Sequence, residues 1–123
     1  DMLRDFTYID DIVEGVIRVI DKVATPDASW DATHPNPATS SAPYRIYNIG
    51  NSQPVRLMDF IRAIEEACGR EAEKIYLPMQ PGDVYQTNAD TTLLQREFGY
   101  KPSKDIREGA RETVEWYRKF YGL

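Results

Sequence analysis

The chain has 123 residues, the length of one ordinary domain, with 15 Lys plus Arg against 20 Asp plus Glu and a formal charge of −5. That acidic balance argues against a nucleic-acid binder, which needs a basic stripe. A single cysteine, Cys68, excludes a disulfide scaffold, and a single histidine, His34, leaves little for a His metal cluster or a Ser-His triad. No apolar run approaches the roughly 20 residues of a membrane span and no signal peptide opens the chain, so the expected setting is cytoplasmic, without membrane partners.

Residues 2–9 read as a strand, with Phe6, Tyr8 and Ile9 rich in β-propensity. A strand at residue 2, with no initiator Met, predicts that more polypeptide lies upstream. Asp10-Asp11 ends that strand, and Asp11 with Glu14 has capping-box spacing for a helix. Ile12, Val13, Val16, Ile17 and Ile20 give that helix one apolar stripe. Residues 24–43 lose periodicity and hold four prolines and six Ser/Thr, a variable surface loop pinned by Trp30, with His34 solvated in it. Tyr44–Gly50 reads as a second strand, suited to completing a larger parallel sheet. A helix from about Leu57 follows, with Leu57, Phe60, Ile61, Ile64 and Cys68 inward and Gly69 stopping it. Residues 74–78 form a third candidate strand. Asp90 caps a short helix through Phe98, closed by Gly99. The last helix runs from about Ser103 to Tyr121, with Ile106, Ala110, Val114, Tyr117 and Tyr121 as its stripe. Trp116 and Phe120 widen that face enough to predict burial on two sides. The fold class is α/β, or α+β if these residues stand alone.

Two charged positions draw notice. Arg4 sits in the first strand. Asp83 directly follows the Pro81-Gly82 turn, which can hold a carboxylate rigidly so that it accepts two hydroxyl hydrogen bonds. Taken singly, each reads as an ordinary solvated charge. If both serve one ligand, they should converge on one face of the fold; otherwise each is solvated and worth little. Tyr100 and Lys104 match a Tyr-x-x-x-Lys spacing. Pro102 between them and Gly99 before them deny the shared helix face on which such a pair works.

Five short motifs occur in order: Arg4–Asp11, Tyr44–Asn51, Pro81–Val84 followed by Ala89-Asp90, Gly99–Pro102, and the closing helix with Trp116-Tyr117. In this order they resemble the C-terminal part of extended short-chain dehydrogenase/reductases. The resemblance spans the whole chain and is nearest to NAD-dependent nucleotide-sugar epimerases, UDP-glucuronate 4-epimerases among them. It implies that residues 1–123 are a UDP-sugar-binding region, inactive alone. The dinucleotide loop and catalytic tyrosine would belong to an N-terminal Rossmann domain, whose sheet the Tyr44–Gly50 strand would join. NAD would bind there and not to this chain, which carries no G-x-G-x-x-G. Arg4 corresponds to the family's diphosphate-binding arginine and Asp83 to the acid that accepts the ribose hydroxyls. Gln80 stands where many relatives place a second arginine, and Thr87 where some place a large aromatic near the sugar. The resemblance also implies a homodimer for the full enzyme, while the uncovered Tyr44–Gly50 strand edge and the broad face of the last helix predict self-association of the segment. A dehydratase, a decarboxylase or a non-catalytic nucleotide-binding module remain alternatives.

Overall fold

The computed structural model describes residues 2–123; only Asp1 lies outside. The elements in chain order are β1 (Leu3–Arg4), α1 (Ile9–Ile20), β2 (Val55–Arg56), α2 (Leu57–Cys68), α3 (Thr92–Phe98) and α4 (Ile106–Tyr121). This is an α/β arrangement in which helices supply most of the regular structure and the sheet is minimal.

β1 is the hinge of the fold. It pairs antiparallel with β2, Leu3 opposite Arg56 and Arg4 opposite Val55. On its other side Leu3 bridges Gln86 in parallel. The Leu3 N–H donates to the Tyr85 carbonyl at 2.9 Å, and the Thr87 N–H donates to the Leu3 carbonyl at 3.1 Å. The predicted strand over 2–9 is therefore two residues long. It stops because the Asp5 N–H leaves the ladder and donates to the Thr87 hydroxyl instead, at 3.1 Å. β2 escapes a propensity reading because it is equally short and follows Pro54.

One further strand expectation, at 74–78, is corrected, and the strand at 44–50, expected to complete a larger sheet, gains no ladder partner among the described residues. Residues 44–50 form no ladder among the described residues, only an isolated Thr39–Arg45 bridge. Residues 74–78 form none either, and Ile75, Tyr76 and Leu77 are all exposed. Both stretches have strand composition, but a strand exists only by pairing, and no neighbouring ladder receives them.

The helices hold better. α1 begins two residues earlier than its acidic pair implied, and the expected Asp11–Glu14 capping box is absent: the cap position is Tyr8, with no side-chain cap bond. Asp11 instead reaches across the fold, its Oδ2 accepting from the N–H groups of Ser103 and Lys104 at 3.0 and 2.9 Å. α2 begins at Leu57 and ends on Gly69 at φ 72°, the left-handed conformation that glycine adopts without a Cβ penalty. α3 closes on Gly99. Its start is Thr92, with the Asp90 carboxylate accepting the Thr92 N–H at 3.0 Å just outside the cap. α4 starts three residues later than predicted, at Ile106, where the Asp105 carboxylate caps the Arg107 N–H. α2 and α4 pack together, and Phe60 of α2 stacks on Phe6 with ring centroids 3.8 Å apart.

The 24–43 loop carries neither helix nor strand but is internally built. Asp27, Asp31 and Asn36 each accept a backbone N–H two residues on. The Trp30 indole donates to the Asn36 carbonyl, so the tryptophan ties the loop to itself. His34 is solvated.

The apolar core is thin: Ala63, Leu94 and Ala110 are its buried members. The chain exposes 9060 Å². A compact monomer of 14.2 kDa exposes about 6,800 Å² by surface scaling. The excess lies on apolar faces. The α1 stripe (Val13, Val16, Ile17, Ile20) is open to solvent, as are Trp116, Tyr117, Phe120 and Tyr121 of α4. The predicted two-sided burial of α4 is met on its α2 side only.

Candidate functional site

The three-way junction at β1 brings distant residues together. Arg4 leaves β1 toward the 80–87 segment, which the Leu3 main chain clamps alongside. The turn there is closed by the Asp83 N–H donating to the Gln80 carbonyl at 3.2 Å, with Gly82 at φ 87°. The Arg4 guanidinium meets the Asp83 carboxylate at 2.8 Å across 79 residues of sequence. Convergence on one face, as predicted, is thus realised as direct contact. The arginine side chain is four-fifths covered, while Asp83 is 39% exposed, so the pair sits at the rim of a surface site.

Both partners are further constrained. Arg4 Nη1 donates to its neighbour's carbonyl at Leu3, 3.0 Å, and Nη2 also contacts the Met2 sulfur at 3.6 Å. Asp83 Oδ1 accepts the Val84 N–H at 2.8 Å. Thr87 lies in the same strip, its hydroxyl holding the Asp5 N–H. Gln80 is exposed, and no hydrogen bond among the described residues joins its amide to Arg4. The structure therefore brings Arg4, Asp83 and Thr87 to one strip of chain around β1, and leaves Gln80 at the turn beside it.

One residue of consequence was not singled out by sequence. The Asp5 carboxylate accepts three backbone N–H groups, from Ser52 at 3.0 Å, Gln53 at 3.2 Å and Ala89 at 3.2 Å. It knots the end of β1 to both flanking loops, so Arg4 and Thr87 keep a fixed relation. The glycine of the Tyr44–Gly50 motif has its explanation here: a Cβ on Gly50 would fall 2.6 Å from the Ala89 Cβ and 3.3 Å from the Asp5 carboxylate. Ser52, held at φ 55°, donates to the Ala89 carbonyl at 2.7 Å and meets the buried Thr91 hydroxyl at 2.9 Å. No local signal marks the role of Asp5, because its three N–H donors come from loops distant in sequence.

Tyr100 and Lys104 do not form a catalytic pair. They lie between α3 and α4, outside any helix. The Tyr100 hydroxyl donates to the Asp11 carbonyl at 2.7 Å, and burial, with the Asp11 charge beside it, raises its pKa. Lys104 pairs with Glu108 and Glu112 at 3.3 and 3.0 Å, and the hydrogen bond to Glu112 raises its pKa. The tyrosine's shift runs against the lowered pKa that a catalytic Tyr-Lys pair requires, and the lysine's charge is taken up by Glu108 and Glu112 instead of by Tyr100.

A second concavity of about 860 Å³ opens between α2, α4 and residues 6–10. Its walls are mainly apolar, with Phe6, Tyr8, Phe60, Ile106, Val114 and Trp116 among them, and none of Arg4, Asp83 or Thr87 lines it.

No family model matches the chain. Protein CapI of Staphylococcus aureus is 48% identical over 120 residues, covering 98% of this chain and 36% of that protein. A probable UDP-glucuronate 4-epimerase of Rhizobium meliloti is 44% identical over 124 residues, again covering 98% and 36%. The chain thus spans about a third of the length of the curated relatives it matches. Among solved structures, UDP-glucose 4-epimerase from Bifidobacterium longum, in complex with NAD+ and UDP, shares the fold with a TM-score of 0.72 at 24% identity. That match covers 96% of this chain and 30% of the other.

Proposed function

Because the chain belongs to the nucleotide-sugar epimerases of the extended short-chain dehydrogenase/reductase family, as a segment about a third of its relatives' length, we propose that it grips the diphosphate and ribose of a UDP-sugar. The observation that carries this reading is the meeting of Arg4 and Asp83 on one surface strip. A planar guanidinium suits diphosphate oxygens, and a carboxylate beside it suits a vicinal diol. Thr87 and Gln80 flank them and face the remainder of the ligand. The overall reaction is 4-epimerisation, with UDP-glucuronate as the favoured substrate by kinship with the named relatives.

The chain's own residues do not fit NAD. It has no glycine-rich dinucleotide loop, and its one Tyr-x-x-x-Lys spacing is engaged in structural bonds. Cofactor and hydride transfer are therefore assigned to the remainder of the polypeptide, and residues 1–123 alone are inactive. What this segment contributes is anchorage: binding energy at the nucleotide end holds the substrate while the sugar turns. The open faces of α1 and α4 fit a segment that docks against the rest of a larger enzyme, a cytoplasmic homodimer in this reading, and that self-associates when separated.

The test is UDP binding by calorimetry to the full protein. Arg4→Ala is expected to weaken it by about 1.5–3 kcal/mol, the range for a hydrogen bond to a charged group. Unchanged affinity would remove Arg4, and with it this reading, from consideration.

A further inference from the structure

We propose that the Arg4–Asp83 ion pair is a built-in competitor that makes the site select a nucleoside diphosphate over a bare anion. The inference rests on the reading of Arg4 as the diphosphate ligand, and it names Asp83 as the residue that sets specificity.

Each two-pronged edge of a guanidinium runs through Nη2. In Arg4 that atom is occupied by Asp83 Oδ1 at 2.8 Å and by the Met2 sulfur at 3.6 Å, while Nη1 is spent on the Leu3 carbonyl at 3.0 Å. Nη2 has one N–H on each edge, so with Asp83 on one and Met2 on the other a phosphate oxygen pair takes a full fork from Arg4 only by dislodging one of them. If Asp83 stays, its carboxylate lies beside the incoming diphosphate as a like charge on the same guanidinium, so binding favours displacing it. The two residues are not independent contacts for one ligand, as their sequence positions imply. They are each other's partner until the ligand separates them.

The displaced carboxylate then decides which ligands succeed. Pyrophosphate or phosphate takes Arg4 and leaves Asp83 without its cation, facing added negative charge in a chain of net charge −5. A nucleoside diphosphate takes Arg4 and also brings a ribose diol, two O–H donors that the freed carboxylate accepts. The exchange is nearly balanced for the nucleotide and one-sided for the bare anion. Discrimination of this kind works by penalising the wrong ligand as well as rewarding the right one. Asp83 suits the task because its turn is exposed and its Oδ1 keeps a local partner in the Val84 N–H.

The experiment measures inorganic pyrophosphate and UDP affinities for the full protein and for its Asp83→Asn, Asp83→Ala and Arg4→Ala forms. Asparagine retains the Val84 acceptor and removes the charge, and the turn is exposed, so the fold should be kept. Removing the competitor from a partly exposed pair is expected to tighten pyrophosphate about fivefold. Loss of the diol acceptor is expected to weaken UDP about tenfold. The UDP-to-pyrophosphate preference then falls about fiftyfold. Pyrophosphate binding that is unchanged or weakened in both Asp83 variants, with Arg4→Ala still losing UDP, overturns the competitor and leaves the nucleotide site standing. An Arg4→Ala protein that binds UDP as before overturns both.

Discussion

The junction around Asp5 and the outer face of α1 are built in opposite ways. The junction is polar and closed: Asp5, Ser52 and Thr91 exchange hydrogen bonds with Gln53 and Ala89, and Leu94 is wholly buried one helical turn from Thr91. The α1 face is apolar and open, with Val13, Val16, Ile17 and Ile20 between 41 and 72% exposed. A polar knot of this kind is self-sufficient, because every donor finds its acceptor within the chain. An apolar stripe is only half of an interaction, and its free energy is realised when something covers it. Stability in this molecule is thus held at the polar junction beside Arg4 and Thr87, and reserved where a neighbouring body would pack.

That contrast can be broken first at Leu94. Leu94→Ala empties a fully buried site and is expected to cost about 2–5 kcal/mol in chemical denaturation. Gly50→Ala should follow at about 1–3 kcal/mol, since its new methyl group meets Ala89 and can be accommodated only by moving the 87–90 loop. The smallest effect is expected on the open face. Ile17→Gln should change the stability of residues 2–123 by no more than about 0.5 kcal/mol. In the full protein the same substitution should cost more than about 1 kcal/mol if the stripe is covered there. Equal effects in both settings, measured by urea titration, would show that α1 has no partner.

The sequence disclosed the two regions unequally, for reasons visible in individual residues. Helices α2 and α3 were legible because local chemistry sets their ends: Gly69 and Gly99 sit at left-handed φ, where glycine is the natural stop. α1 was legible as a stripe, but its start was misplaced, because Asp11 serves Ser103 and Lys104 rather than its own helix. A long-range use of a capping-type residue leaves no local trace. The strand at 74–78 was overcalled because β-propensity reports a willingness to pair and not the presence of a partner, whereas the one at 44–50 was expected to find its partners in a larger sheet. At the site, the convergence of Arg4 and Asp83 followed from motif order. Their direct contact did not, and neither did the three-donor role of Asp5. Such many-to-one bonding between loops is specified by three-dimensional closure alone.

The position of β1 between residues 55–57 and 85–87 also sets a schedule. During synthesis Leu3 and Arg4 emerge about 80 residues ahead of their hydrogen-bonding neighbours on the second side, the Tyr85 carbonyl and the Thr87 N–H. At about 5–20 residues per second, roughly 4–16 s pass before those groups are made. In that interval α1 and α2 can form from local contacts, while β1 has at most one edge satisfied. The Arg4–Asp83 pair therefore forms only after α1 and α2 have been made, and a ribosome stalled before residue 83 holds those helices without it.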